Sequence, residues 1–418
     1  MKRKLSFILL IFIVLETNAQ VEVSIDSCTK WAVSQSSANL QKELNEQQLK
    51  IKLNNAASHY YPSVEINGRA TYQSDVPQLN NFIPTADLIS RDQYVISLDF
   101  QQAIFDGMRA VYGRKYERLL NEAEIYKLDL SINELKGKVI SIYLNLLILD
   151  KQIILLSNAR TCLDEQLERL NTLLKAGVIY ANSVAQLEVE VMKLEQQAGE
   201  LQATKGSLIS SLSILTNKDL SNAVFTMPNE PQIEADCNSS RIEFKLFQNQ
   251  LEGLEYQRRL QFSSSLPKVA MFATGGYGRP EYDIFQNDFN WFYRVGVTLK
   301  VPIIAWARTM GMGAVVNLQK SIVNSHEADF EKFNHIAIQE KLNEISRIEN
   351  LLLLDRQITE KYASITNTGR IQLMNGTITA YDFIKQQNDE LQSLINQELH
   401  NIQLLKAKYE LLALKGKL

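Results

Sequence analysis

Cysteine is nearly absent from this chain: Cys28, Cys162 and Cys237 are the three in 418 residues, an odd number at wide spacing. Neither a disulfide framework nor a metal-ligand spacing follows from them, which leaves isolated thiols. Histidine is almost as scarce and equally scattered, at His59, His326, His335 and His400. The nearest approach to a metal motif, His326–Glu327, lacks the second histidine four residues after the first. There is no surplus of basic charge either. With 44 Lys and Arg against 47 Asp and Glu the net charge is −3, which gives no electrostatic footprint for nucleic acid. The close glycines of TGGYGR, Thr274 to Arg279, lie in a strand pattern without a following helix start or a lysine-serine pair, so they make no phosphate loop. Past the N-terminus no apolar run reaches the roughly 20 residues of a spanning helix. Leu144–Leu149 and Ile153–Leu156 are separated by Asp150, Lys151 and Gln152, which suits a buried helix. No catalytic residue, metal site or cofactor motif is left, and the sequence does not read as an enzyme.

What is present begins with Lys2, Arg3 and Lys4 before the apolar run Leu5 to Leu15, with the small Ala19 after it. This is the pattern of a secretory signal peptide, residues 1–19, cleaved after Ala19. No cysteine sits at that site, so a lipid-anchored form is not expected.

The chain is organised around ISLDFQQAIFDGMR, Ile96 to Arg109, where a strand pattern turns into a long helical one. Ile96, Leu98 and Phe100 alternate with Ser97, Asp99 and Gln101, the period of a strand with one apolar and one polar face. From Met108 to Ala176 there is no proline, and apolar residues recur at helical spacing. The junction returns in VGVTLKVPIIAWAR, Val295 to Arg308, at an offset of 199, the difference between residues 308 and 109. Gly177 maps onto Gly376 at the same offset, so the chain reads as two tandem copies of one unit. The expected organisation is a first repeat, 20–217, a polar linker, 218–240, with Pro228 and Pro231, and a second repeat, 241–418.

Each repeat shows the same order. A helix, about Asp26 to His59 in the first copy, ends at Pro62, and a strictly alternating strand of about eleven residues follows, the length of a tilted membrane strand. After a long loop, about Asp75 to Gln93, comes the strand Tyr94 to Gln102. The second copy has a helix at about Arg241 to Phe262, a strand at about Lys268 to Tyr277 and another at Phe292 to Val301. The long helices carry seams, Val139, Ile142, Leu146, Leu149, Ile153, Leu156, Leu163, Leu167, Leu170 and Leu174 in the first, which imply packing along neighbouring helices. Roughly 65 residues at 1.5 Å each make a rod on the order of 100 Å. Gly177 and Gly376 mark the reversals. On the strands, Tyr72, Ile96, Leu98, Val295 and Val297 are expected to face lipid or protein, and Asp99, Arg294, Thr298 and Lys300 an aqueous lumen.

Four such strands cannot close a barrel, because barrels need at least about eight and lipid does not tolerate an open edge. The barrel must be shared between chains, and a hollow strand barrel continued by helices is a conduit. At this point the sequence resembles the TolC family of outer-membrane efflux proteins. The likeness runs from the N-terminal helix through YYPSVEINGRATY, ISLDFQQAIFDGMR, the opening of the second half and VGVTLKVPII, with Pro62 and Pro267 ahead of strands. It implies a mainly α fold with a membrane β-barrel contribution: a homotrimer whose 12-stranded β-barrel is continued by a 12-helix α-barrel in the periplasm. It further implies outer-membrane lipid around the barrel and docking to a periplasmic adaptor protein coupled to an inner-membrane transporter. The family's tip role falls by position on Ala176, Gly177, Val178, Asn375, Gly376 and Thr377, with Arg370 on the approach. Thr366 to Met374 carries no carboxylate, which puts an acidic gate on that segment in doubt. The competing expectation is a secreted coiled-coil structural or adaptor protein of the cell envelope.

Overall fold

A computed structural model describes residues 22–76, 89–177, 179–232, 241–279 and 287–417. The expected signal peptide, tip residue Val178 and the end of the linker lie outside them. The order is β1 (Glu22–Val23), α1 (Ile25–Gln35), α2 (Ser37–Ala57), β2 (Ser63–Tyr72), β3 (Asp92–Phe105), α3 (Arg109–Lys175), α4 (Ala181–Thr216) and β4 (Val224–Phe225), followed by α5 (Ile242–Phe262), β5 (Lys268–Arg279), β6 (Asn290–Lys300), α6 (Ala305–Met374) and α7 (Ala380–Leu414). The expected single helix from Asp26 to His59 is two. Ser36 sits between them in an extended conformation, φ −65° and ψ 131°. Serines compete for backbone groups, and Ser34 Oγ donates to the Trp31 carbonyl at 2.7 Å just before the break.

The chain folds into two compact units. The first holds the described residues of Ser37–Ser131 and Ser240–His335. In it β2, β3, β5 and β6 form one antiparallel sheet in that order, so β2 and β6 are its edges. Each strand is joined closely to a helix, and the helices repeat the order. Ion pairs connect α2 to α3 (Lys52–Glu117, 3.3 Å), α3 to α5 (Lys115–Glu252, 3.5 Å) and α5 to α6 (Glu255–Lys320, 2.8 Å).

The second unit holds the described residues of Met1–Ser36, Ile132–Ser239 and Ile336–Leu418. The α3 seam is buried or half-buried throughout, as period 3.5 requires of a helix in contact along its length. A stretch of α3 is long and apolar enough to cross a membrane, yet Val139, Tyr143, Leu144 and Leu146 within this helix are wholly buried in protein, packed with Val23, Cys28, Leu212 and Ile402. Tyr143 also holds the parallel β1–β4 pair, its hydroxyl lying 2.7 Å from the Val23 carbonyl and 2.6 Å from that of Thr226.

Burial pushes the Cys28 thiol up to about 11 and the Tyr143 hydroxyl up to about 12. The folded state therefore binds these protons more tightly than the unfolded state, and stability falls as pH rises above the ordinary values of 9.0 and 10.0. Each group can cost on the order of 2 kcal/mol at the alkaline limit. Thermal unfolding followed by circular dichroism at pH 8 and pH 10.5 should show a smaller drop for Cys28→Ala than for the parent. Equal drops would contradict this.

Candidate functional site

The strand pattern becomes a two-faced surface once the register is known. Asp99 pairs with Glu65 on β2 and Thr274 on β5, and Thr274 pairs with Arg294 on β6, so these four side chains share a row. Ala270 opposite Thr298 and Lys268 opposite Lys300 continue the same face. Asp99, Arg294, Thr298 and Lys300, expected together on sequence grounds, thus share one face. Hydrogen bonds organise it: Asn67 Nδ2 and Thr274 Oγ1 each donate to the Asp99 carboxylate at 2.7 Å, and Ser97 Oγ donates at 2.9 Å. Arg294 lies over the Phe272 ring, 5.5 Å from its centroid. Gly296 and Gly276 face Phe272 and Phe292 across the β5–β6 pair, and a Cβ at either glycine would come within 2.8 or 2.5 Å of the ring. The glycines therefore make room for aromatic rings on the polar face.

The opposite face carries Val64, Ile66, Ile96, Leu98, Val295, Val297 and Leu299, and it is uncovered: Ile66 is 75% exposed and Tyr293 84%. Tyr72, Tyr94, Tyr277, Trp291 and Tyr293 gather at its loop-side end, where Tyr277 packs on Trp291 at 5.2 Å and on Phe289 at 5.6 Å. Sequence reasoning identified the alternation but not this aromatic band. Its signal was there, since tyrosines stand at the loop end of all four strands.

At the other end of the sheet, β3 turns into α3 through Phe105-Asp106-Gly107. The buried Asp106 carboxylate accepts from the backbone N–H of Arg109 at 3.1 Å and of Ala110 at 2.8 Å, and from Tyr60 Oη at 2.8 Å. It caps the helix start, where backbone N–H groups lack partners. Gly107 has φ +73°, and a Cβ there would stand 2.6 Å from the Ser263 carbonyl oxygen, so this turn admits no side chain. The second junction differs. No left-handed residue is described there, and α6 begins at Ala305 after Pro302.

In the other unit the hairpin reversals have the same backbone. Gly177 and Gly376 are left-handed, with φ +73° and +69°. Their N–H groups bond to Leu174 and Leu373, both at 3.0 Å, and Thr377 N–H bonds to Gln372 at 2.9 Å, the Schellman closure that satisfies the last carbonyls of α6. The offset of 199 recurs at the returning ends, where Asn217 and Gly416 are also left-handed. Leu163, Leu170, Leu187, Leu373 and Phe383 form one core, so the two hairpins pack together.

Ala176, Gly177, Asn375, Gly376 and Thr377 lie in these turns. Arg370 does not: it lies within α6 and turns toward α3, its Nη2 donating to Cys162 Sγ at 3.3 Å. The carboxylate beside the second turn is Asp382, on α7. It exchanges a capping box with Thr379, whose hydroxyl and N–H both donate to it and hold its carboxyl below the usual range. Tyr180, which opens α4 without a side-chain cap, is 87% exposed. A groove of about 480 Å³ runs between α4 and α7, lined by Val189, Glu190, Lys193, Tyr381, Lys385 and Asp389 among others.

A four-stranded sheet with one apolar and one polar face, β3 and β6 each leading into a long helix, is a fold also seen in outer-membrane channel proteins. Solved structures bear this out as a fold. The outer membrane protein VceC from Vibrio cholerae matches with a TM-score of 0.70 at 12% identity, over 94% of this chain and 96% of that one. The CmeC outer membrane channel of Campylobacter jejuni matches with a TM-score of 0.72 at 14% identity, over 94% and 85%. The MtrE outer membrane channel of Neisseria gonorrhoeae, solved in its open state, matches with a TM-score of 0.68 at 10% identity, over 94% and 88%. No family model and no curated protein matches the sequence.

Proposed function

We propose that this chain is a member of the TolC family, the outer-membrane channel of a tripartite efflux or secretion system, with no catalytic chemistry of its own. The observation that carries the proposal is the uncovered apolar face of the four-stranded sheet. From Tyr94 to Ile104, about 10 steps of roughly 3.3 Å along a strand tilted near 40° give an apolar band about 25 Å tall, the height of a bilayer core. An aromatic girdle belongs at the edge of such a band, as at the loop end here. Both edges, β2 and β6, carry unpaired backbone groups that lipid would leave unsatisfied. Pairing β6 of one chain with β2 of the next removes every edge, and three copies give 12 strands. The polar face then lines the lumen, which substrate crosses passively.

In this reading the hairpin turns, with exposed Tyr180, Met374 and Tyr381 around them, form the periplasmic surface met by an adaptor protein that couples to an inner-membrane transporter. Fractionation of Gram-negative cells making the protein tests the reading. Recovery in the outer membrane, with release only by detergent, is expected. Monodisperse protein in plain buffer would favour a secreted coiled-coil envelope protein instead.

A further inference from the structure

Resting on the proposal that the polar sheet face lines a lumen, we infer that this channel selects for anions, and that its cargo class is anionic solutes rather than metal cations. The strand register assigns to that face Arg69, Lys268, Arg294 and Lys300, and against them two carboxylates, Glu65 and Asp99. The surplus is two positive charges per chain. The distribution is as telling as the count. Glu65, Asp99 and Arg294 share one row, so the two acids stand in the same row as an arginine, and Asp99 is further satisfied by Asn67, Ser97 and Thr274.

At the helix-side end the balance is different. Lys268 and Lys300 stand directly opposite each other across the β5–β6 pair, and neither side chain has an ion pair or hydrogen bond among the described residues. Like charges placed so are destabilising in a sheet, and among the described residues no carboxylate stands opposite either of them. Asp106, at the same end of β3, is buried and committed to Tyr60 and the first N–H groups of α3. Three chains around one axis would turn the pair into a ring of six ammonium groups where the lumen passes from helices to strands. Rings of lysine or arginine favour anions in pores, because the field concentrates them and repels cations.

The test is the reversal potential of the purified protein in bilayers of neutral lipid under a KCl gradient. The expected chloride-to-potassium permeability ratio is above about 2, falling below about 1 in Lys268→Glu/Lys300→Glu and kept in Lys268→Arg/Lys300→Arg. If the glutamate variant does not assemble, Lys268→Gln/Lys300→Gln should still lower the ratio. A cation-preferring parent, or a ratio that neither variant lowers, would overturn the inference. Inserted protein with no conductance would overturn the channel reading beneath it, a distinguishable failure.

Discussion

Leu98→Arg should abolish assembly, whereas Thr298→Arg should leave it nearly intact. Leu98 is near the middle of the apolar band, paired with Ile66 and Gly275 and half exposed, while Thr298 is on the other face beside Ala270. An arginine facing lipid at the bilayer midplane costs roughly 2 to 4 kcal/mol per chain, and in the proposed trimer three chains would bear it together. On the polar face the same guanidinium remains in water. Heat-modifiable migration of membrane extracts reads the yield of assembled protein, with a loss of at least about tenfold expected for Leu98→Arg. Equal tolerance of both substitutions would reverse the assignment of faces.

The second large effect is expected at the hairpin turns. Gly177 and Gly376 have open space where a Cβ would be, so an added side chain meets no neighbour, but their positive φ strains any other residue. Alanine should cost about 1 kcal/mol at each, a local loss that leaves export close to normal. Tryptophan adds bulk on the surface proposed to meet the adaptor. Gly177→Trp and Gly376→Trp should therefore insert normally and lose export, while the alanine variants separate turn strain from obstruction. Normal export with tryptophan at both positions would remove the turns from the adaptor surface.

Much of this was legible because the elements bury or expose whole faces. A strand with one apolar and one polar face must alternate, as Tyr94–Gln102 and Phe292–Val301 do; a helix packed along its length must carry a seam, and α3 does. The left-handed turns were legible because glycine stands where no other residue is comfortable. What escaped depends on partners distant in sequence. The two-residue strands β1 and β4 are too short for any pattern, and they exist because Tyr143 joins them across more than 80 positions. The Asp106 cap is a contact of one carboxylate with the start of α3 and with Tyr60, and the sequence shows the Phe105-Asp106-Gly107 run before the helix but not these partners. The end of β3 was set too early, at Gln102, because the register shift between Ala103 and Phe105 interrupts the alternation while pairing continues. The break at Ser36 was missed for want of a proline or glycine. Leu40 and Leu44 of α2 are more than half exposed in the single chain.

The central claim is that the sheet is one third of a closed barrel. Light scattering on the detergent-purified protein, with the detergent contribution subtracted, measures this directly. The account predicts three chains per particle under non-denaturing conditions, dissociating only on harsh denaturation. A particle of one chain, stable and monodisperse, would leave β2 and β6 unpaired and contradict it.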